Sequence, residues 1–384
     1  MATGKAYFSS AIFDGTILRE GVVLLVDDCR VTGLVPGAEV PGDYDQIDLG
    51  DGILSPGLID LQVNGGGGLM LGDIESVDDL ARICRAHVGL GTTALLPTLI
   101  TDTPENTRKV LKIASEAARE KVPGFAGLHL EGPHLDPARK GAHDSRLIRS
   151  MEARDLDIYL QAARTLPTLM MTVAPEAVTP DQIRKLVKAG VIVSLGHSNA
   201  TYDAVYACVE AGATCMTHLY NAMSPLAHRD PGMVGAALNI GQLHAGLIAD
   251  GVHVDPAAVE IALRAKKGPG VIFLVTDAMA VAGTGRTEFS LGGRRILRAG
   301  GRLTLKDGTL AGADITLPAA IRFLQEQVGL SFETALKMAT SLPAAAIGRQ
   351  DAFGSLVSGV RADFIQLSSD GSVRSVWLGG VRQL

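Results

Sequence analysis

Cysteine is scarce in this 384-residue chain: Cys29, Cys84, Cys208 and Cys215 stand far apart, with no Cys-x-x-Cys pair. That excludes a zinc knuckle and a dithiol redox motif, and free core thiols are the expectation. A strong charge of one sign is also missing. The formal net charge is −6, and no run of Lys and Arg offers the concentrated basic surface that nucleic acid or an anionic membrane would need. No apolar run approaches the roughly 18 residues of a spanning helix. The start, MATGKAYFSSAIFDGTIL, lacks the charged region, apolar stretch and small-residue cleavage site of a secretory signal. A cytoplasmic protein is expected, with neither nucleic acid nor membrane as its partner.

What is abundant is apolar sequence. With 47% hydrophobic and 20% charged residues, the chain can bury a large core, and its length suits one big α/β domain with a smaller companion. Eight short apolar runs follow one another: LIDLQVN, TTALLPTLI, GFAGLHLEG, LMMTVAPE, GVIVSLGHS, ATCMTHLYN, HAGLIADGVHV and VIFLVTDAM. Amphipathic stretches such as SVDDLARICRAHVGLG and PDQIRKLVKAG separate most of them, opening on Ser, Thr, Asp or Pro, and several end at Gly. Strand-helix repeats with continuous apolar strands predict a parallel sheet covered on both faces. Asn64, Glu131, Glu176, His197, His218, His253 and Asp277 all fall at the C-terminal end of a run, where barrel active sites are built. The expectation is therefore a (β/α)₈ TIM-like barrel over residues 55–349. Residues 1–54 and 350–384 alternate in short segments broken by Gly and Asp-Gly, which predicts one small β-sandwich assembled from both termini. Gly283 to Ala313 is a Gly-rich interruption, expected as a hairpin insertion or an active-site loop, with GTLAGA as an alternative eighth barrel strand.

Four glycines follow LIDLQVN, yet a G-x-G-x-x-G fingerprint needs glycine where Met70 or Leu71 stands, and no Gly-Lys-Ser/Thr ending makes a P-loop. A tight turn that lets substrate approach the backbone is the better reading. The chemistry lies in HLEGPHL, LGHSNA, THLYNAM and VTDAM. Glu131, His197 and His218 would give one carboxylate and two imidazoles from three strand ends, leaving a fourth position on Zn²⁺ open for water. The same set also suits Fe²⁺, Co²⁺ or Mn²⁺. Asp277, from another strand end, is expected to take a proton from the attacking water and return it to the leaving group. His87, His129, His134, His228 and His244 are expected to be structural or at the surface.

These residues resemble the amidohydrolase superfamily and, more narrowly, its N-acetylglucosamine-6-phosphate deacetylases. The matching pieces SPGLIDLQVNGGGG, LHLEGPH, KGAH, LGHSNA, THLYNAM, HRDPG, ADGVH, VTDAM and GTLAG run from Ser55 to Gly312. The resemblance implies a barrel with a two-ended β-sandwich, a homodimer, and hydrolysis of N-acetyl-D-glucosamine 6-phosphate to glucosamine 6-phosphate and acetate. Many amidohydrolases carry His-x-His at the end of the first strand, but here the positions are Gln62-Val63-Asn64. Neutral amides ligate Zn²⁺ poorly, so one metal per subunit is expected, with Gln62 and Asn64 among the substrate contacts. The resemblance further implies that His143 polarises the acetyl carbonyl and that Asn221, Ala222, Arg229 and His253 bind the sugar phosphate, some contacts crossing the dimer interface. It adds Ala142, Leu310, Ala311 and Gly312 as substrate contacts, mainly through backbone. The galacto epimer is the alternative substrate, and a non-catalytic scaffold the alternative of another class.

Overall fold

The computed structural model describes residues 4–384. All eight apolar runs become parallel strands: β1 Leu58–Val63, β2 Thr92–Ile100, β3 Leu128–Glu131, β4 Leu169–Val173, β5 Ile192–Leu195, β6 Cys215–Met216, β7 His244–Leu247 and β8 Ile272–Leu274. They stand side by side in sequence order. Being covered on both faces, such strands need apolar residues throughout rather than alternation, which is why they read as unbroken runs. The ring closes just past β8. Val63 pairs with Ala278 in a parallel bridge, and the Asp277 N–H donates to the Gln62 carbonyl at 3.0 Å. Beneath that seam the buried Asp60 carboxylate accepts the Thr276 N–H at 3.2 Å and the Thr276 hydroxyl at 2.5 Å.

Helices return the chain from each strand, and their starts are chemically marked. Ser76, Thr103, Thr179, Thr201, Asp255 and Thr316 each accept a backbone N–H in the first turn of the helix that follows, satisfying a donor with no intrahelical partner. Every strand thus ends toward one rim, and each polar residue at a strand end is delivered there.

The insertion after β8 is a four-stranded antiparallel meander of Glu288–Leu291, Arg294–Ala299, Arg302–Thr304 and Leu310–Ala313. GTLAGA therefore supplies the meander's last strand and not the eighth barrel strand, whose place VIFL already fills. It joins the barrel by an Ala313–Ala278 bridge and packs Phe289, Ile296 and Leu303 in one cluster with Met70 and Met279, which brings it to the rim. The alternating burial of Glu288–Leu291 marks a sheet with one face in water.

The terminal segments meet as expected. A four-stranded sheet joins Lys5–Phe8, Val22–Asp27, Arg30–Pro36 and Asp45–Asp48. In a six-stranded sheet, Ile53–Pro56 lies between Ala11–Phe13 from the N-terminal part and Phe364–Leu367 from the C-terminal part. Their shared core stacks Phe364 on Trp377 at 4.6 Å and sets Tyr7 edge-on to Phe364 at 4.9 Å. Cys84, Cys208 and Cys215 are buried free thiols; Cys29 is exposed, because Asp28 and Cys29 form the left-handed turn between two sandwich strands. Among the described residues no helix is long and apolar enough to cross a membrane.

Candidate active site

Glu131 ends β3, and His197 and His218 each follow their strand by two residues. The three side chains are almost fully buried and converge. His218 Nε2 lies 3.2 Å and His197 Nε2 3.4 Å from Glu131 Oε1, and the two nitrogens are 3.0 Å apart. Ligand atoms about 2.0–2.1 Å from a tetrahedral ion stand about 3.3 Å from one another. The observed spacing fits that edge length. Gly196 makes the approach possible: a Cβ there would sit 2.2 Å from Thr217 Cγ2. His197 and Asp277 both hold left-handed backbone, at φ +48° and +52°, where a side chain is disfavoured and the surrounding structure must impose it.

His143 also reaches the cluster, 3.7 Å from Glu131 Oε2, and Glu131, His143 and His197 offer donor atoms within 4.8 Å of one another. The hydrogen bonds separate the roles. His197 Nδ1 faces the Arg139 carbonyl at 2.8 Å, so this nitrogen carries the proton and Nε2 keeps a lone pair for a cation. His143 Nδ1 instead accepts the Thr101 N–H at 3.2 Å, which puts the neutral ring's proton on Nε2, toward the cavity. Burial, then the neighbouring His197, lowers the His143 pKa to about 4, so the ring stays neutral near pH 7. His143 is thus built as a hydrogen-bond donor. Burial works against the Glu131 anion, but the neighbouring His143, His197 and His218 outweigh it and hold its carboxyl well below the usual range.

Asp277 faces this cluster across the cavity. Burial, reinforced by the Glu131 charge, raises its pKa. Asn64, Glu131, Ala142, His143, His197, His218, Asn221, Ala222, His253, Asp277, Leu310 and Gly312 all border the cavity, with Ile100, Ile248 and Met279 as apolar wall.

Other expected residues sit elsewhere. Gln62 is buried behind the lining, and Ala311 is 1% exposed and turned into the meander core; Ala142 does border the cavity, but its carbonyl is already taken by the Arg294 guanidinium. Arg229 stands on an exposed loop outside the cavity. Glu176 accepts the Ser198 hydroxyl at 2.7 Å and the Asn199 N–H at 3.0 Å, bracing the His197 loop. His87, His129 and His134 are buried and hydrogen-bonded within the fold, His228 is exposed, and His244 is half-buried. Sequence reasoning missed Thr101, Thr217 and Asp250. Asp250 holds His253 Nδ1 at 2.6 Å, and its place three residues before His253 in ADGVH was a usable signal; nothing marked the threonines.

The amidohydrolase family model matches residues 53–382. The N-acetylgalactosamine-6-phosphate deacetylase of Shewanella sp. (strain ANA-3) is 41% identical over 94% of this chain and 92% of its own. The N-acetylglucosamine-6-phosphate deacetylase of Haemophilus influenzae is 36% identical over 89% of each. Among solved structures, the N-acetylglucosamine-6-phosphate deacetylase of Pasteurella multocida superposes with a TM-score of 0.94 at 34% identity, covering 99% of both chains. A mutant of the Mycobacterium smegmatis enzyme, in complex with N-acetyl-D-glucosamine-6-phosphate, gives a TM-score of 0.90 at 32% identity, again covering 99% of both chains. The chain belongs to the amidohydrolase family, alongside the deacetylases of N-acetylated hexosamine 6-phosphates.

Proposed function

We propose that the protein hydrolyses the acetamido group of N-acetyl-D-glucosamine 6-phosphate, releasing D-glucosamine 6-phosphate and acetate in amino-sugar metabolism. The observation that carries this reading is Asp277 facing the Glu131–His197–His218 cluster across one cavity, with the His143 donor beside it. The relatives named above support the substrate class. Glu131, His197 and His218 would hold one divalent ion, Zn²⁺ first and Fe²⁺, Co²⁺ or Mn²⁺ as alternatives. When bound, the ion acidifies water and polarises the amide carbonyl. Gln62 cannot help to hold a second ion, because its –NH₂ faces Glu131 and Asp277 while its oxygen accepts the Thr217 hydroxyl.

The chain's own groups divide the work. His143 donates its Nε2 proton to the acetyl oxygen as negative charge develops there. Asp277 takes a proton from the attacking water and passes it to the amine nitrogen as the C–N bond breaks. Asn221, Ala222 and His253, which border the cavity, would meet the sugar phosphate, and Leu310 and Gly312 border it as well. Arg229, exposed outside this cavity, fits a homodimer in which it serves the neighbouring site. Free buried thiols and the absence of disulfides among the described residues suit a cytoplasmic enzyme.

Acetate release from N-acetylglucosamine 6-phosphate, its galacto epimer and unphosphorylated N-acetylglucosamine tests the reading. Turnover of phosphorylated sugars alone is expected. The 41% identity to a galactosamine-6-phosphate deacetylase favours a second reading, in which the galacto epimer turns over faster. No turnover of any of the three by metal-loaded protein would overturn both.

A further inference from the structure

Gln62 and Asn64 are two residues apart where β1 meets Asp277, so the strand period turns both amides to the same side. Each spends its –NH₂ on a carboxylate. Gln62 Nε2–H donates to Glu131 Oε1 at 2.9 Å and to Asp277 Oδ1 at 3.3 Å. The Thr217 hydroxyl donates to Gln62 Oε1 at 2.7 Å. Asn64 Nδ2–H donates to the same Asp277 Oδ1 at 2.6 Å. The orientation of Gln62 is electrostatically fixed, since a reversed amide would set its oxygen against two carboxylates. Both of its protons and its oxygen are committed, which leaves nothing to offer a substrate.

We propose that Gln62 and Asn64 act as an amide clamp on Oδ1 of Asp277, reserving Oδ2 for proton transfer, and that both position this carboxylate, Gln62 having no group left for a substrate. The inference rests on Asp277 being the proton-transfer group. A carboxylate free to turn would offer either oxygen, and the nearby Glu131 charge would push it away. Two donors on one oxygen remove that freedom, and the Asp277 N–H bonded to the Gln62 carbonyl ties the residue's main chain to the same strand. Proton transfer gains from such fixing because misplacement by about 1 Å can cost about 10²-fold. Thr217, next to His218, extends the tie to the loop of another ligand.

The test uses Asn64→Leu and Gln62→Leu, each alone and in an Asp277→Asn background. Each single substitution is expected to lower kcat about 10- to 100-fold while KM and zinc content stay within about two-fold. With Asp277→Asn already present, each should change kcat less than about two-fold, because the group being positioned is gone. A crystal structure supplies a readout independent of turnover: the Asp277 carboxylate should occupy one orientation in the wild type and turn or spread over several in the variants. Should Gln62→Leu fail to fold, Gln62→Met, unbranched like glutamine but without donors, carries the same comparison. A raised KM with unchanged kcat, full additivity with Asp277→Asn, or a carboxylate that stays in place in the variants would each overturn the clamp. A wild type that releases no acetate would refute the deacetylase reading, and the crystallographic arm would still decide the clamp.

Discussion

The barrel mouth and the core of the terminal sandwich are both assembled from residues far apart in sequence, but they spend their polar groups differently. In the sandwich, Tyr7, Phe364 and Trp377 fill space, and the Tyr7 hydroxyl donates to the Gly380 carbonyl. At the mouth, Asn64 Oδ1 and His218 Nδ1 are buried without a partner among the described residues, two carboxylates share one cavity, and His197 and Asp277 hold unfavourable backbone. Buried polar groups left short of partners cost stability, so their concentration at one end of the barrel marks where the fold gives up stability for chemistry. The difference predicts that mutations separate cleanly: the mouth should lose rate, the sandwich should lose stability.

The largest effect should come from Asp277→Asn. Without a base to take the water's proton or an acid to return it, kcat should fall about 10⁴-fold, about 5.5 kcal/mol of barrier. The melting temperature should hold or rise, because a buried charge repelled by Glu131 is removed. A parallel loss of both would break the contrast. Next in size is Trp377→Ala, which removes the ring stacked on Phe364 and the edge contact with Tyr7. It should cost about 4 kcal/mol in urea unfolding, with kcat/KM nearly unchanged at temperatures where the variant stays folded.

The sequence carried these two regions unequally. All eight barrel strands were legible, because strands buried on both faces appear as apolar runs, and Glu131, His197, His218 and Asp277 were legible because each ends such a run. The sandwich showed through its Gly and Asp-Gly turns. Hydrogen-bond partners were not legible: Thr101 sets the His143 tautomer and Thr217 orients Gln62, but threonine at a strand end is also an ordinary β-former. The role of Gly283–Ala313 was hidden because turn-rich sequence does not reveal where its last strand docks. Arg229 stands on an exposed loop outside the cavity formed by this chain, where its motif alone does not say which site it serves.

One sandwich residue behaves like the mouth. Asp363 is buried, its Oδ2 has no partner among the described residues, and its Oδ1 meets the Gly379 N–H and Arg361. Burial pushes its pKa up to about 6, against the pull of Arg361. The unfolded chain releases this proton near pH 4 and the folded one near pH 6, so stability is full below pH 4 and is lost as pH rises to about 6. The loss should reach at most about 3 kcal/mol. Asp363→Asn should flatten that part of the stability–pH curve without altering turnover. Identical slopes for variant and wild type in denaturant unfolding between pH 4 and 7 would return Asp363 to the ordinary residues of the sandwich.

The smallest effect tests the converse, a mouth residue whose hydrogen bonds are complete. Asp250 Oδ1 accepts the Val252 and His253 N–H groups, both at 2.8 Å, and Oδ2 holds His253 Nδ1 at 2.6 Å. Burial opposes the Asp250 anion, but the His253 hydrogen bond and charge and these backbone donors together hold its pKa below the usual value. With Nδ1 held by Asp250, Nε2 is the ring nitrogen left for the proposed phosphate, and an anion behind the ring strengthens a hydrogen bond made there. In Asp250→Asn the amide oxygen can keep the backbone bonds, but a neutral group now stands behind the ring. Charge-assisted hydrogen bonds are roughly twice as strong as neutral ones, so KM for the phosphorylated sugar should rise about 10-fold, about 1.4 kcal/mol, with kcat within about two-fold. The unphosphorylated sugar should bind the variant and the wild type alike. Equal losses on both sugars would move the His253 contact from the phosphate to the ring hydroxyls, and a fall in stability with no change in KM would make the Asp250–His253 pair structural despite its place at the rim.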